Sequence, residues 1–191
     1  ALFPFHFWLP GAMAAPTPVS AYLHAAAMVK AGVYLIARFA PADRDDVTWQ
    51  RLCVLLGGAT MLLGGVRALR EHDLKRVLAF GTVSQLGFLT AVLGAGQRDT
   101  AYAGLAMLLA HAVFKAPLFL GVGLIDHSTG TRDLRKLSGL GRSLPALCVV
   151  MCLAAASMAA IAPLLGFAAK ESVLDSFIVG AHDGSRTDPY I

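Results

Sequence analysis

Charge is what this sequence has least of. Asp, Glu, Lys and Arg make up 15% of its 191 residues, against about 25% in an ordinary soluble domain. The mean hydropathy is +0.64. Length alone is compatible with one soluble domain, but the uncharged runs are not. Residues 77–96 hold twenty positions without a charge and residues 144–169 hold twenty-six. A bilayer span needs about 20 mostly apolar residues, whereas a soluble core helix keeps a polar stripe.

Other absences narrow the function. There is no G-x-S-x-G, P-loop or G-x-G-x-x-G, and no cluster with metal-ligand spacing, so no cofactor and no metal is expected. Cys53, Cys148 and Cys152 lie inside apolar segments without Cys-x-x-Cys spacing, and are expected to be small buried packing residues. Basic residues are not interleaved with aromatics, which argues against a nucleic-acid partner. No basic region precedes the first apolar residues, so they do not resemble a signal peptide. With no initiating Met, the sequence reads as a piece of a longer protein.

What is present is a set of apolar stretches joined by short basic connections. The leading segment, residues 1–16, is aromatic and broken by prolines, and reads as a helix end plus a turn. Five spans follow: 17–39, 51–69, 74–95, 100–125, and a fifth from 143, interrupted near Pro163–Gly166 and resuming through Lys170 to about residue 180. The loops near 67–76 and 126–142 carry Arg67, Arg70, Lys75, Arg76, Arg132, Arg135, Lys136 and Arg142, eight cations against the four of Arg38, Arg44, Arg51 and Arg98 on the opposite side. The positive-inside rule places the first pair of loops, and the end of the leading segment, on the cytoplasmic side.

The candidate functional residues are cations inside these spans. Lys30 falls about 20 Å from the start of its span at 1.5 Å per residue. A lysine at the bilayer centre costs about 3 kcal/mol or more, so one that does not simply reach an interface has a task there, such as accepting and releasing a proton. His111 and Lys115 are four apart, on one helix face, either as a coupled titrating pair or as a helix–helix hydrogen bond. Pro117 frees the carbonyl of Val113, a polar group near that pair. His24 sits about 120° round the helix from Lys30, and either packs or lines the same cavity. Lys170, with Glu171, is inside the membrane if the helix resumes after Gly166, and interfacial otherwise. Lys75 either anchors an interface or joins the path. Ser84 and Gln85 are intramembrane polar groups able to hold water, and His6 lies at the leading turn. Haem ligation by His24 and His111 is disfavoured by the lysines beside them.

Four stretches carry a resemblance: PFHFWLPGAMAAPTPVSAYLHAAAMVKAGVYLIARFA at 4–40, DLKRVLAFGTVSQLGF at 73–88, LAHAVFKAPLFL at 109–120 and LLGFAAKE at 164–171. In this order they resemble the proton-conducting antiporter family shared by respiratory complex I and Mrp-type cation/proton antiporters, most closely the A-type subunit of the Mrp antiporters. AAAM beside His24 departs slightly from the family's usual SATM. The resemblance implies an all-α polytopic membrane helix bundle with broken helices and two inverted five-helix repeats. Residues 1–40 would end the first repeat and 51–181 form most of the second, with the family's glutamate–lysine pair upstream. It implies a proton path through Lys30, His24, His111, Lys115, Lys170 and Lys75. It also implies other membrane subunits as partners, lipid as surroundings, protons and Na+ as cargo, and a bacterial inner membrane as location. A proton-pumping subunit of NADH-quinone oxidoreductase, or a structural membrane scaffold, are the alternatives.

Overall fold

The computed structural model describes residues 2–42 and 46–182; Arg44 of the loop-charge argument lies outside them. Among the described residues every regular element is helical, and the one β-bridge is isolated. The leading segment forms α1 (Trp8–Gly11) and a 3-10 turn (Ala12–Ala14). Next come α2 (Thr17–Ala21), a π turn (Tyr22–Ala26) and α3 (Met28–Phe39). The long helices are α4 (Val47–Arg70), α5 (Leu74–Leu93) and α6 (Arg98–Thr129), followed by α7 (Leu140–Ser143), α8 (Pro145–Met158) and α9 (Leu165–His182). Among the described residues four segments are long and apolar enough to cross a membrane: Thr17–Phe39, Val47–Arg70, Leu74–Leu93 and Arg98–Thr129. At 14 residues α8 reaches only about 21 Å, short of a hydrocarbon core of about 30 Å, and needs α9 to complete a crossing.

Two differences from the sequence reading matter. The first span is not one regular helix. The π turn widens it by one residue, and Ala27 departs from helical geometry at φ −110°, ψ −84°. The fifth is broken earlier than its proline suggests. α8 stops at Met158, Ala160 takes the left-handed conformation at φ 63°, and the chain re-enters helix at Leu165. The close return depends on Gly166, because a Cβ there would collide with the carbonyl of Ser157; the Gly166 N–H donates to Ser157 Oγ at 3.1 Å.

Helix α5 is central and α4 peripheral: 61% of the α5 apolar window is buried against 22% of that of α4. The two meet through glycines. A Cβ on Gly57 would lie 2.6 Å from the Gly87 carbonyl oxygen, and one on Gly87 would lie 2.6 Å from Met61 N. Small residues let membrane helices approach this closely. Ser84 belongs to this contact, donating to the Met61 carbonyl at 2.9 Å, and so ties α5 to α4. α6 packs on the other side of α5 and runs antiparallel to it, with Leu78 opposite Lys115 and Leu93 opposite Gly104. Pro117 leaves α6 unbroken.

The two basic loops meet at one end of the bundle, as their common side requires. Leu74 N–H donates to the Arg132 carbonyl at 3.0 Å and Leu134 N–H to the His72 carbonyl at 2.9 Å. Arg132 lies between Asp73 (3.7 Å) and Asp126 (3.8 Å). Asp73 also caps α5, accepting from Lys75 N–H at 2.8 Å and Arg76 N–H at 3.2 Å. Of the cysteines only Cys53 is buried; Cys148 and Cys152 are exposed on α8. An uncharged span predicts burial in lipid as readily as in protein, which is why composition misplaced them.

Candidate functional site

Helix α6 carries the site. His111, Lys115 and Phe119 recur every four residues, so they form one stripe, and each has 0% of its surface exposed. Facing helices add to it. His24, at 1% exposure, stacks on Phe119 with ring centroids 5.4 Å apart and planes at 29°. Lys30 Nζ donates to the Leu108 carbonyl of α6 at 3.2 Å, and Thr17 lies against Gly123. α2, the π turn and α3 therefore run antiparallel along α6. The π turn changes the angular offset counted between His24 and Lys30, and both end on the α6 side.

Lys115 Nζ crosses to α5 and donates to the Leu78 carbonyl at 2.9 Å. That oxygen also accepts the Thr82 hydroxyl at 2.8 Å. The carbonyl freed by Pro117, which the sequence suggested as the local polar group, is not its partner. Lys75 is 1% exposed, and its Nζ donates to the Ala15 carbonyl of the leading segment. The register along α6 orders the groups. Lys30 is anchored at Leu108, His111 and Lys115 follow, and His24 stands at Phe119. Lys75, tied to Ala15 just before Thr17 and its contact at Gly123, lies beyond His24. The sequence in space is Lys75, His24, Lys115, His111, Lys30. From Gly123 to Leu108 this row follows α6 for about 23 Å, most of a hydrocarbon core of about 30 Å.

Each lysine in the row rests on a main-chain oxygen and uses one of its three N–H donors in a described contact. Both ring nitrogens of His111, Nδ1 of His24 and Nε2 of Gln85 are buried without a hydrogen-bond partner among the described residues. By the α5–α6 register Gln85 stands near the depth of His111 and Lys30. His111 makes an edge-on contact with Phe114 at 5.4 Å. At its Lys75 end stand Asp73, the N-cap of α5, and Asp126, which shares Arg132 with it. There a polar cavity of about 450 Å³ opens between the two basic loops, lined by residues that include Glu71, Asp73, Asp126 and Arg132.

Lys170 is separate from this row. It is half-buried on α9, and its Nζ donates to the Met158 carbonyl at 2.7 Å. Met158 ends α8, where the last carbonyls lack helical partners and the dipole favours a cation. Glu171, next to it, is exposed. His6 lies outside the row as well, beside Phe3 with ring centroids 6.1 Å apart. Sequence reasoning missed Phe119, whose signal was its spacing of four from Lys115. It also missed the carbonyls of Ala15, Leu78 and Leu108, which carry no side-chain signal.

Fold and site together define a polytopic all-α membrane protein built round a buried row of lysines and histidines. Residues 1–182 match the family described as NADH:quinone oxidoreductase/Mrp antiporter, TM, and the chain belongs to that family. A protein of Staphylococcus haemolyticus assigned as antiporter subunit mnhA2 is 47% identical over 192 residues, 93% of this chain and 24% of that protein. In solved structures, a chain of the Mrp complex from Dietzia sp. DQ12-45-1b is 51% identical with a TM-score of 0.88, over 92% of this chain and 20% of that one. A chain of the membrane-bound sulfane sulfur reductase, an archaeal respiratory membrane complex, is 26% identical with a TM-score of 0.87, over 97% and 38%. Within the family the chain is thus like the A-type subunit of the Mrp antiporters, and it spans about a quarter of the length of that curated relative.

Proposed function

We propose that the protein containing this chain moves protons across a bacterial inner membrane, as part of a multisubunit monovalent cation/proton antiporter that exports Na+. The observation that carries the proposal is the row Lys75–His24–Lys115–His111–Lys30. It consists of protonatable groups buried along one side of α6, the lysines resting on backbone oxygens of facing segments. In the proposed cycle a proton enters from the polar cavity at Lys75 and passes along the row through water and the two imidazoles. Each lysine changes charge state when its neighbour does, so ion movement elsewhere couples electrostatically to the row. Lys170 continues the path towards α9, and Gln85 orients water beside His111. Other membrane subunits complete the assembly, and the chain comprises the end of one inverted repeat (1–40) and most of the next (51–181).

The test replaces Lys115 by Ala in the full complex and measures sodium-dependent proton flux in vesicles. At least a tenfold loss with normal assembly is expected, the scale on which a single proton-transfer group contributes. Unchanged flux would sink the role given to the row. A second reading, a proton-pumping subunit of a respiratory complex, is favoured by the likeness to the archaeal respiratory chain. Co-purification with redox subunits separates the two.

A further inference from the structure

A second cavity, of about 370 Å³, lies between the leading segment and the facing ends of α4 and α5, and includes His6, Phe7, Pro10, Arg67, Arg76 and Phe80 in its lining. Its chemistry is divided. Phe80 is buried and Phe7, at 72% exposure, is presented outward. Arg67 and Arg76 supply two guanidinium groups. Arg76 is paired with Glu71 at 3.1 Å, whereas Arg67 forms no ion pair among the described residues. His6 Nδ1 is buried there without a partner. Beside Arg67, α4 exposes Leu62, Leu63, Val66 and Leu69, a face suited to acyl chains. Arg67 and Arg76 flank the loop that the charge distribution assigns to the cytoplasmic surface, where the membrane carries anionic lipid.

We infer that this cavity is a binding site for the phosphate group of an anionic phospholipid in the cytoplasmic leaflet, held by Arg67 and Arg76, with His6 facing the headgroup and the acyl chains lying along α4. A guanidinium fork matches phosphate oxygens geometrically as well as in charge. The apolar wall distinguishes a lipid from a free anion. The site is separate from the lysine–histidine row and its occupancy is read without any flux measurement, so either proposal can fail alone.

The experiment places the photocrosslinker p-benzoylphenylalanine at Phe7 of the full-length protein in its assembled complex. The complex is reconstituted in vesicles of equimolar phosphatidylglycerol and phosphatidylcholine, and adducts are identified by mass. A preference of about fivefold for phosphatidylglycerol is expected, the factor that one basic side chain contributes near an anionic surface. Arg67→Gln should bring it to about one, Arg67→Lys should keep most of it, and excess inorganic phosphate should leave it in place. Equal adducts in the wild type overturn the site, as does an adduct to protein in place of lipid. Loss of the preference in excess phosphate shows that a free anion is the occupant. If Arg67→Gln does not assemble, the wild-type ratio and the phosphate arm decide.

Discussion

At the scale of single residues, the row is held by unequal partners. A lysine on one carbonyl is anchored yet not neutralised, whereas a lysine on a carboxylate would be fixed in its charged form. The carboxylates near the row stand at its Lys75 end, and one just outside the membrane shows how strongly pairing acts. Asp133 receives two hydrogen bonds from the Arg135 guanidinium, at 2.8 and 3.0 Å, and one from its backbone N–H. These hold its carboxyl well below the usual carboxylate range and push the Arg135 guanidinium up. A carboxyl lowered on folding stabilises the loop above its unfolded value, and that contribution is lost only as pH falls through the folded one. The Asp133–Arg135 pair should therefore persist through the range near pH 4 where an ordinary aspartate protonates, with a contribution that solvent screens. Asp133→Asn should loosen the paired loops at neutral pH. Hydrogen exchange at the Leu134 amide, bonded to the His72 carbonyl, should quicken about two- to fivefold, as expected for an exposed pair. No change in exchange would assign the closure to the backbone bonds alone.

At the scale of elements, α4, α5 and α6 were legible because long, mostly apolar runs bounded by Asp46, Asp73 and basic loops state both length and ends. The stripe His111–Lys115 was legible from its spacing. The π turn was not, because LHAAAM holds neither proline nor glycine, and an alanine-rich stretch accepts either winding. The break after Met158 was misplaced because it begins at an alanine in the left-handed conformation, while sequence signals only the later proline and glycine. The docking of α4 on α5 makes a prediction of its own. Gly87→Ala puts a methyl group against the backbone of Gly57 and Met61 and should cost about 1–3 kcal/mol through overpacking. Gly58→Ala, which meets nothing within 4 Å, should be neutral or stabilise by up to about 1 kcal/mol through helix propensity. Thermal unfolding of the assembled complex in lipid checks the pair, and equal effects would refute close packing at Gly87.

At the scale of the whole molecule, the joined loops put Lys75, Arg132 and the leading segment at one end of the bundle, and the positive-inside rule assigns that end to the cytoplasm. The family was legible from four motifs in order, whereas the contacts joining those motifs were not, because their partners lie on other helices. A cysteine at the exposed Lys136 should be modified by a membrane-impermeant thiol reagent only from the cytoplasmic side, and one at the exposed Asp99 only from the other. The reverse pattern would invert the path. The lysine anchors have a consequence beyond transport. Lys30, Lys75 and Lys115 supply the donors, while the acceptors are peptide oxygens of Leu108, Ala15 and Leu78, atoms that every side-chain replacement leaves in place. Leu78 can change to another helix-forming residue without releasing Lys115, so a search for coupled substitutions has nothing to find at these anchors. What does release a lysine is a one-residue insertion or deletion that turns the opposing helix by about 100°, which makes the reading frame of the helix, more than the identity of its residues, the inherited partner of each cation.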